Sequence, residues 1–171
     1  MDNIVKYKDT FFYRGFLLEP IHPKLFKLFD IKIEEGETIY RLSVAVDTGE
    51  TNGSSLDIYL SPVDKKLLIG TISNVLHGNC GDIELNFANK LHFYNKGYYK
   101  LTQFINFEFS ENTTVTMNMK LKIYRDKNFV LIKPEVSYSC IPIKIYEIED
   151  QIYQILLSEE SIEEIKLNCE S

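Results

Sequence analysis

The alternation of apolar and polar residues is clearest from Thr113 to Tyr124, where the two kinds follow one another without interruption. The apolar positions are Val115, Met117, Met119, Leu121 and Ile123, and the polar positions are Thr114, Thr116, Asn118, Lys120 and Lys122. Successive side chains of a β-strand point to opposite faces. The alternation therefore predicts one strand with a buried face and a solvent-facing face.

The same two-residue period predicts strands along most of the chain, with turn-forming clusters of Gly, Pro, Asn, Asp and Ser between them. Short strands without a long helix between them predict an antiparallel, all-β fold. The strands are expected near Phe11–Leu18, Leu25–Ile33, Thr38–Asp47, Ser55–Leu60, Lys66–Ile72, Asp82–Phe87, Lys90–Tyr94, Tyr98–Phe109, Thr113–Arg125, Phe129–Val136 and Ile141–Tyr146.

One-sided strands of this kind predict two antiparallel sheets stacked as a β-sandwich, of jelly-roll or immunoglobulin-like type. A closed barrel is the alternative. The two longest predicted strands, Tyr98–Phe109 and Thr113–Arg125, are separated by a short polar loop. They are expected to pair as a long hairpin.

The period changes after Tyr146, and the sequence predicts one or two short helices that end near Asn168. Ser161-Ile162-Glu163-Glu164 has the form of a capping box. We expect a β-sandwich domain over residues 1–147 and an acidic helical extension over residues 148–171. The apolar stripe of the extension either packs on its own domain or docks on a neighbour. We assign partner binding to Ile152, Ile155, Leu156, Ile162 and Ile165.

Charge is distributed unevenly along the 171 residues, whose net charge is -6. Residues 147–171 hold eight acidic side chains and one basic one, so the rest of the chain is close to neutral. A neutral body without a basic stripe does not attract a phosphate backbone. We therefore expect no nucleic-acid partner.

The ends and cysteines of the sequence bear on its location. The first residues lack the basic and apolar pattern of a signal peptide, and no apolar run is long enough to span a membrane. Three cysteines at irregular spacing favour free thiols in a reducing compartment. We expect synthesis in the cytoplasm, no membrane partner, and possible incorporation into a virion.

The segment from His77 to Asp82 is the stretch that most resembles an active-site loop. It places Cys80 near His77 and Asp82, and a thiol nucleophile needs such a base within hydrogen-bond reach. A solvated surface loop explains the same residues. The pairing of one Cys with one His has little specificity, so the sequence favours a protein that is not an enzyme.

Metal and cofactor sites find little support in the spacing of ligands. Zinc needs four ligands, and only His77 and Cys80 form a short pair. Nucleotide-binding glycine motifs are absent from the sequence. Oxygen ligands for calcium could come from one Gly-rich turn, but the segment fails the EF-hand pattern and solvated turn residues explain it better. These residues are Asp47, Glu50, Asn52 and Asp57. We expect no cofactor and no metal.

Three functions remain open at this point. The first is a structural or assembly protein acting through protein–protein contacts, as a homo-oligomer or in a larger assembly. Its concrete form is a phage or viral virion component: a capsid auxiliary, head, collar or tail connector. The second is a carbohydrate-binding module with tyrosine platforms. These could come from Tyr13, Tyr40, Tyr59, Tyr94, Tyr98, Tyr99 and Tyr124. The third is a cysteine-dependent enzyme using the His77–Asp82 loop.

Overall fold

The structure is a computed structural model, and it describes residues 3–21, 38–47, 54–100, 106–140, 144–148 and 152–170. The described part is mostly β-structure with two helices. The strands are β1 (Ile4–Tyr7), β2 (Thr10–Tyr13), β3 (Leu17–Pro20), β4 (Tyr40–Val46), β5 (Ser54–Leu60), β6 (Ile83–Phe93), β7 (Gly97–Lys100), β8 (Asn106–Phe109), β9 (Thr113–Asp126), β10 (Phe129–Cys140), β11 (Lys144–Ile148) and β12 (Gln154–Leu157). The helices are α1 (Pro62–Leu76) and α2 (Glu159–Glu170).

The described strands form a large sheet, a small sheet and a separate two-stranded sheet. The large sheet has the order β1-β2-β12-β10-β9-β6, and β11 pairs with β10 beyond β12. The small sheet has the order β3-β4-β5, and β7 pairs with β8. All pairs among these strands are antiparallel, as the sequence predicts, except β12 with β2, which is parallel. Both larger sheets end in unpaired edge strands within the described residues, so neither closes into a barrel there.

One hydrophobic core joins both larger sheets and both helices. Buried side chains of β9, β4 and β5 belong to it together with apolar residues of α1 and α2. The odd positions of β9 from Val115 to Ile123 are buried in this core, whereas most of its even positions are partly or fully exposed. The predicted alternation is therefore confirmed. A smaller cluster of Phe12, Leu131 and Leu156 lies apart from this core.

Helix α1 replaces the strand that the sequence predicts at Lys66–Ile72, so that prediction is wrong. Its buried residues Leu68, Ile72 and Val75 follow helical spacing. The short run of apolar residues around them is also typical of a buried strand. Periodicity alone does not distinguish a short buried helical segment from such a strand.

Both ends of α1 have capping residues that are typical of helix termini. Ser61 is the N-cap, its Oγ accepts a hydrogen bond from the Asp64 N–H, and Pro62 occupies the first turn. At the other end the Gly78 N–H donates to Val75 O and the Asn79 N–H to Asn74 O. This pair of bonds is a Schellman motif, with Gly78 at a φ of 73°.

Several other strand predictions are confirmed in part. Thr38–Asp47, Ser55–Leu60, Thr113–Arg125 and Phe129–Val136 coincide with β4, β5, β9 and β10. Asp82–Phe87 and Lys90–Tyr94 are one continuous strand, β6. Phe11–Leu18 is divided between β2 and β3 at Gly15, whose φ is 104°. Leu25–Ile33 and residues 141–143 lie outside the described residues.

The predicted hairpin between Tyr98–Phe109 and Thr113–Arg125 is wrong. The two described parts of the first segment, β7 and β8, pair with each other, and Tyr98 lies opposite Glu108. Strand β9 lies instead between β6 and β10.

The C-terminal segment contains one helix, as expected, but also a strand. Ile152 forms an isolated bridge with Val46, and Ile155 and Leu156 lie in β12. Helix α2 begins after Ser158, whose Oγ accepts from the Ser161 N–H, three residues before the predicted cap. Residues 154–157 are paired between β2 and β10, and α2 packs on β3, β12 and α1. The described part of residues 148–171 thus contributes to the common sheet and core.

Candidate functional site

The residues assigned to partner binding from the sequence are buried within the chain itself. Four of them belong to the main core, and Leu156 belongs to the small cluster around Phe12. The interpretation of these side chains as an exposed docking stripe is therefore corrected, because each is at most 7% exposed. The residues concerned are Ile152, Ile155, Leu156, Ile162 and Ile165.

The His77–Asp82 loop follows α1 and is exposed. Cys80 is a free, exposed cysteine, and it makes no hydrogen bond to His77 within the described residues. The Nδ1 atom of His77 lies 2.7 Å from the carbonyl oxygen of Ser73, so this nitrogen is used within the helix cap. His92 is not a second base for Cys80, because the extended strand from Ile83 to His92 spans roughly 30 Å. The loop thus lacks an assembled nucleophile and base in this arrangement.

The candidate calcium turn lies partly outside the described residues, which include Asp47 and Asp57 but not residues 48–53. Asp57 accepts hydrogen bonds from the hydroxyls of Ser43 and Ser55, at 2.5 and 3.3 Å. Within the described ranges, no group of three acidic, His or Cys side chains is placed to hold a metal ion.

The tyrosines do not form one continuous platform. Tyr13, Tyr40, Tyr59 and Tyr124 are half-buried, and the side chain of Tyr99 lies outside the described part. Tyr94 and Tyr98 are 73% and 75% exposed. The Tyr94 ring contacts His92 edge-on, with 4.5 Å between the ring centroids.

The feature that could serve a partner is the open edge of β6. This strand has eleven residues and pairs with β9 one residue to one residue from Ile83↔Ile123 to Phe93↔Thr113, without a bulge. It contains neither proline nor glycine. Among the described residues no strand pairs with its other side. Natural edge strands are usually short, bulged, proline-containing, charged or covered, because an open edge is a template for pairing, and of the first four features β6 has only charge, at Glu84 and Lys90.

The sheet register shows which main-chain groups point to the open edge. The two-residue turn between β9 and β10 makes Asp126↔Phe129 a hydrogen-bonded pair. Alternation along β9 then directs the main-chain groups of its odd residues to β6, where they meet odd residues. The N–H and C=O groups of the even β6 residues consequently point away from the sheet. These residues are Glu84, Asn86, Ala88, Lys90 and His92.

The same five even residues are exposed on the polar face of the sheet, and their charges are segregated. Glu84 lies near the start of β6, two residues after the exposed Asp82, whereas Lys90 and His92 lie near its end. The edge is therefore acidic at one end and basic at the other. A partner strand that pairs along this edge would contact both its acidic end and its basic end.

Neighbouring ion pairs hold this polar face in place. Lys120 Nζ lies 3.7 Å from Glu84 Oε1, and Lys122 Nζ lies 3.0 Å from Glu135 Oε1. The hydrogen bond from Lys122 lowers the pKa of Glu135 below its usual value. These cross-strand pairs link side chains of β6, β9 and β10 and do not involve the outward main-chain groups of β6.

A buried amide fixes β6 on the small sheet. Asn89 is 3% exposed, and its Oδ1 accepts from the Tyr59 N–H at 2.8 Å while its Nδ2 donates to Tyr59 O at 2.9 Å. Nδ2 also lies 3.0 Å from Ala88 O. Asn89 therefore satisfies main-chain groups of β5 and ties that strand to the inner face of β6. This role of Asn89 is not visible in the sequence, because it depends on the packing of two sheets.

A groove of about 800 Å³ lies between the end of α1, the β9–β10 turn and the start of α2. One wall carries the basic residues Arg125 and Lys127, and the other carries Glu159, Glu160 and Glu163. The groove therefore carries charges of both signs. It does not form a purely basic or purely acidic site for a charged ligand.

Comparisons with known proteins leave the function to be argued from these features. The chain matches no protein-family model, no curated protein and no solved structure. Neither α1 nor α2 is long and apolar enough to cross a bilayer, and the described ranges contain no third helix.

Proposed function

We propose that this protein is a structural or assembly protein that acts through protein–protein contacts and not through catalysis. A phage or viral virion component, such as a capsid auxiliary, head, collar or tail connector, is the concrete form of this proposal. The observation that carries it is the long, regular edge of β6, Ile83–Phe93, with which no other strand of the described ranges pairs. An edge of this kind binds another polypeptide by adding a strand to the sheet.

The rest of the described surface supports the same proposal. The candidate thiol loop has no assembled base next to Cys80, and the groove beside α2 has mixed charge. In contrast, five alternate residues of β6 direct their main-chain groups away from β9, and of these groups Ala88 O also accepts a hydrogen bond from Asn89 Nδ2. A rigid edge binds without the entropic cost of ordering a loop.

The arrangement of the two larger sheets is part of the same proposal. We propose that the large and small sheets are the two layers of a β-sandwich, since side chains from both belong to one core. The parallel pairing of β2 with β12 departs from the antiparallel jelly-roll and immunoglobulin-like arrangements. The helices α1 and α2 complete the core beside the small sheet.

An edge-blocking variant tests the proposal. Ala88→Pro removes an N–H that points away from β9, so it blocks strand addition while the β6–β9 ladder remains. We expect wild-type protein in extracts of its natural source to sediment with a high-mass assembly, and the variant to sediment as the free chain. Circular dichroism and thermal unfolding establish that the variant is folded.

The matched control is Ala88→Thr, which changes the same exposed position but keeps its N–H. It should sediment like the wild type. A wild-type chain that sediments alone in its natural context, and captures no partner when it is immobilised, would contradict an assembly role.

A second candidate, carbohydrate binding, draws on one observation. Tyr94 and Tyr98 are both strongly exposed, and exposed aromatic rings are the usual platforms for sugars. A glycan array would test it, with Tyr94→Ala and Tyr98→Ala as paired variants. Binding that survives both substitutions would argue against this site.

A further inference from the structure

We infer that the occupant of the β6 edge is the β6 strand of a second copy of this chain, paired antiparallel about a two-fold axis. The inference rests on the proposed function and names its partner. Its basis is the charge polarity of the strand, with Asp82 and Glu84 at one end and Lys90 and His92 at the other. An antiparallel copy places the acidic end of each strand beside the basic end of the other.

The register follows from these charges and from the direction of the main-chain groups. A two-fold axis at Phe87 sets Glu84 opposite Lys90 of the second copy. The same register sets Asn86 opposite Ala88 and Asp82 opposite His92 of the second copy. Since the outward-pointing main-chain groups of β6 belong to its even residues, the opposed residues within the strand form the hydrogen-bonded pairs of the new ladder. The direction of the main-chain groups permits this register, and the charges select it.

The side chains around the axis are compatible with this approach. Asn86 and Ala88 are exposed and uncharged, so no like charges meet at the centre. The Nδ1 atom of His92 lies 2.9 Å from Thr114 Oγ1, which leaves Nε2 for a neighbour. Glu84 keeps Lys120 on its other side, at 3.7 Å. A parallel second copy would instead bring Glu84 near Glu84 and Lys90 near Lys90, and like charges facing each other destabilise a sheet.

Charge reversal measured by sedimentation velocity tests the inference. Glu84→Lys and Lys90→Glu each place like charges across the interface in two symmetric pairs. We expect each to weaken dimerisation about tenfold, which corresponds to about 1.4 kcal/mol. The double variant Glu84→Lys/Lys90→Glu restores opposite charges and should recover wild-type dimerisation. Lys120→Gln, which removes only the intrachain partner of Glu84, should leave dimerisation unchanged.

Cysteine cross-linking tests the register in a Cys80→Ser background. Asn86→Cys and Ala88→Cys chains, when mixed and oxidised, should form a disulfide with each other. Hydrogen-bonded pairs in an antiparallel sheet have Cα atoms about 5.5 Å apart, within the range of a disulfide. Preferential cross-linking of Ala88→Cys chains with themselves would instead place the axis at Ala88 and overturn the register.

The outcomes separate this inference from the proposed function. A wild-type chain that stays monomeric at high concentration, or a double variant that fails to recover dimerisation, overturns self-pairing. If such a chain still enters a high-mass assembly and Ala88→Pro abolishes that entry, the assembly role stands with a different protein on the edge. If neither dimer nor assembly forms, both proposals fail.

Discussion

Asn89 is the residue whose substitution tests the packing of the two sheets most directly. It is a polar residue with low strand propensity, and it is buried in a β-strand among apolar neighbours. Propensity and burial alone predict that Asn89→Leu, a change of similar volume, would stabilise the protein. The structure predicts the opposite, because the amide bonds both main-chain groups of Tyr59.

The size of the effect follows from those two bonds. A buried main-chain group that loses its partner costs about 1–3 kcal/mol, and Asn89→Leu removes the partner of two such groups. We expect the free energy of unfolding to fall by about 3 kcal/mol. For a chain of this length about 1 kcal/mol shifts the midpoint temperature by about 2–4 °C, so the melting temperature should fall by about 6–12 °C.

Urea unfolding and differential scanning calorimetry measure these quantities. The control is Asn86→Leu, which makes the same change at an exposed position of the same strand and should alter stability by less than about 0.5 kcal/mol. Asn89→Asp keeps an acceptor for the Tyr59 N–H but loses the donor to Tyr59 O, so it should also destabilise. A loss for Asn89→Leu as small as that of the control would refute the argument that the amide holds β5 on β6.

Two further predictions concern α1 and the polar face. Gly78→Ala should lower stability by about 1 kcal/mol or more in urea unfolding, because Gly78 has a φ of 73° and an added Cβ would lie 2.8 Å from Arg125 Nη1. Gly70→Ala, at an open position within α1, should raise stability by about 0.5–1 kcal/mol, and equal effects at both glycines would contradict the assignment. The lowered pKa of Glu135 contributes stability that is present above the unfolded-state pKa of about 4.3 and is lost as pH falls through the folded-state value. Wild type should therefore lose more stability than Glu135→Gln between pH 6 and pH 3, and identical pH profiles would show that the bond with Lys122 adds nothing.

The sequence was most informative where one face of a strand is buried along its whole length. The alternation in Thr113–Tyr124 predicted β9 nearly to its ends. Burial of every second side chain accounts both for the alternating sequence and for the strand. The prediction failed at α1, where Ser61, Pro62 and Gly78 gave helix signals that the apolar run outweighed. It failed again at β12, since apolar residues three and four apart fit a helix but here lie in a bridge and a short strand.

The candidate site could not be predicted because it depends on sheet order. The sequence of β6 shows alternation, but only the pairing of β9 with β10 on its other side makes β6 an edge. Likewise, Asn89 gains its role from Tyr59, which lies on another sheet. Contacts between residues far apart in the chain leave no local pattern.

The parallel pairing of β12 with β2 has a consequence for how the chain folds as it is synthesised. Phe12 and Gln154 are neighbours in the sheet, although nearly all of the described chain separates them. The β9–β10 hairpin can form as soon as it leaves the ribosome, but β12 is translated later and must then insert between β2 and β10. A nascent chain therefore exposes the flanks of β2 and β10 until that insertion, and this interval is when it most needs protection by chaperones.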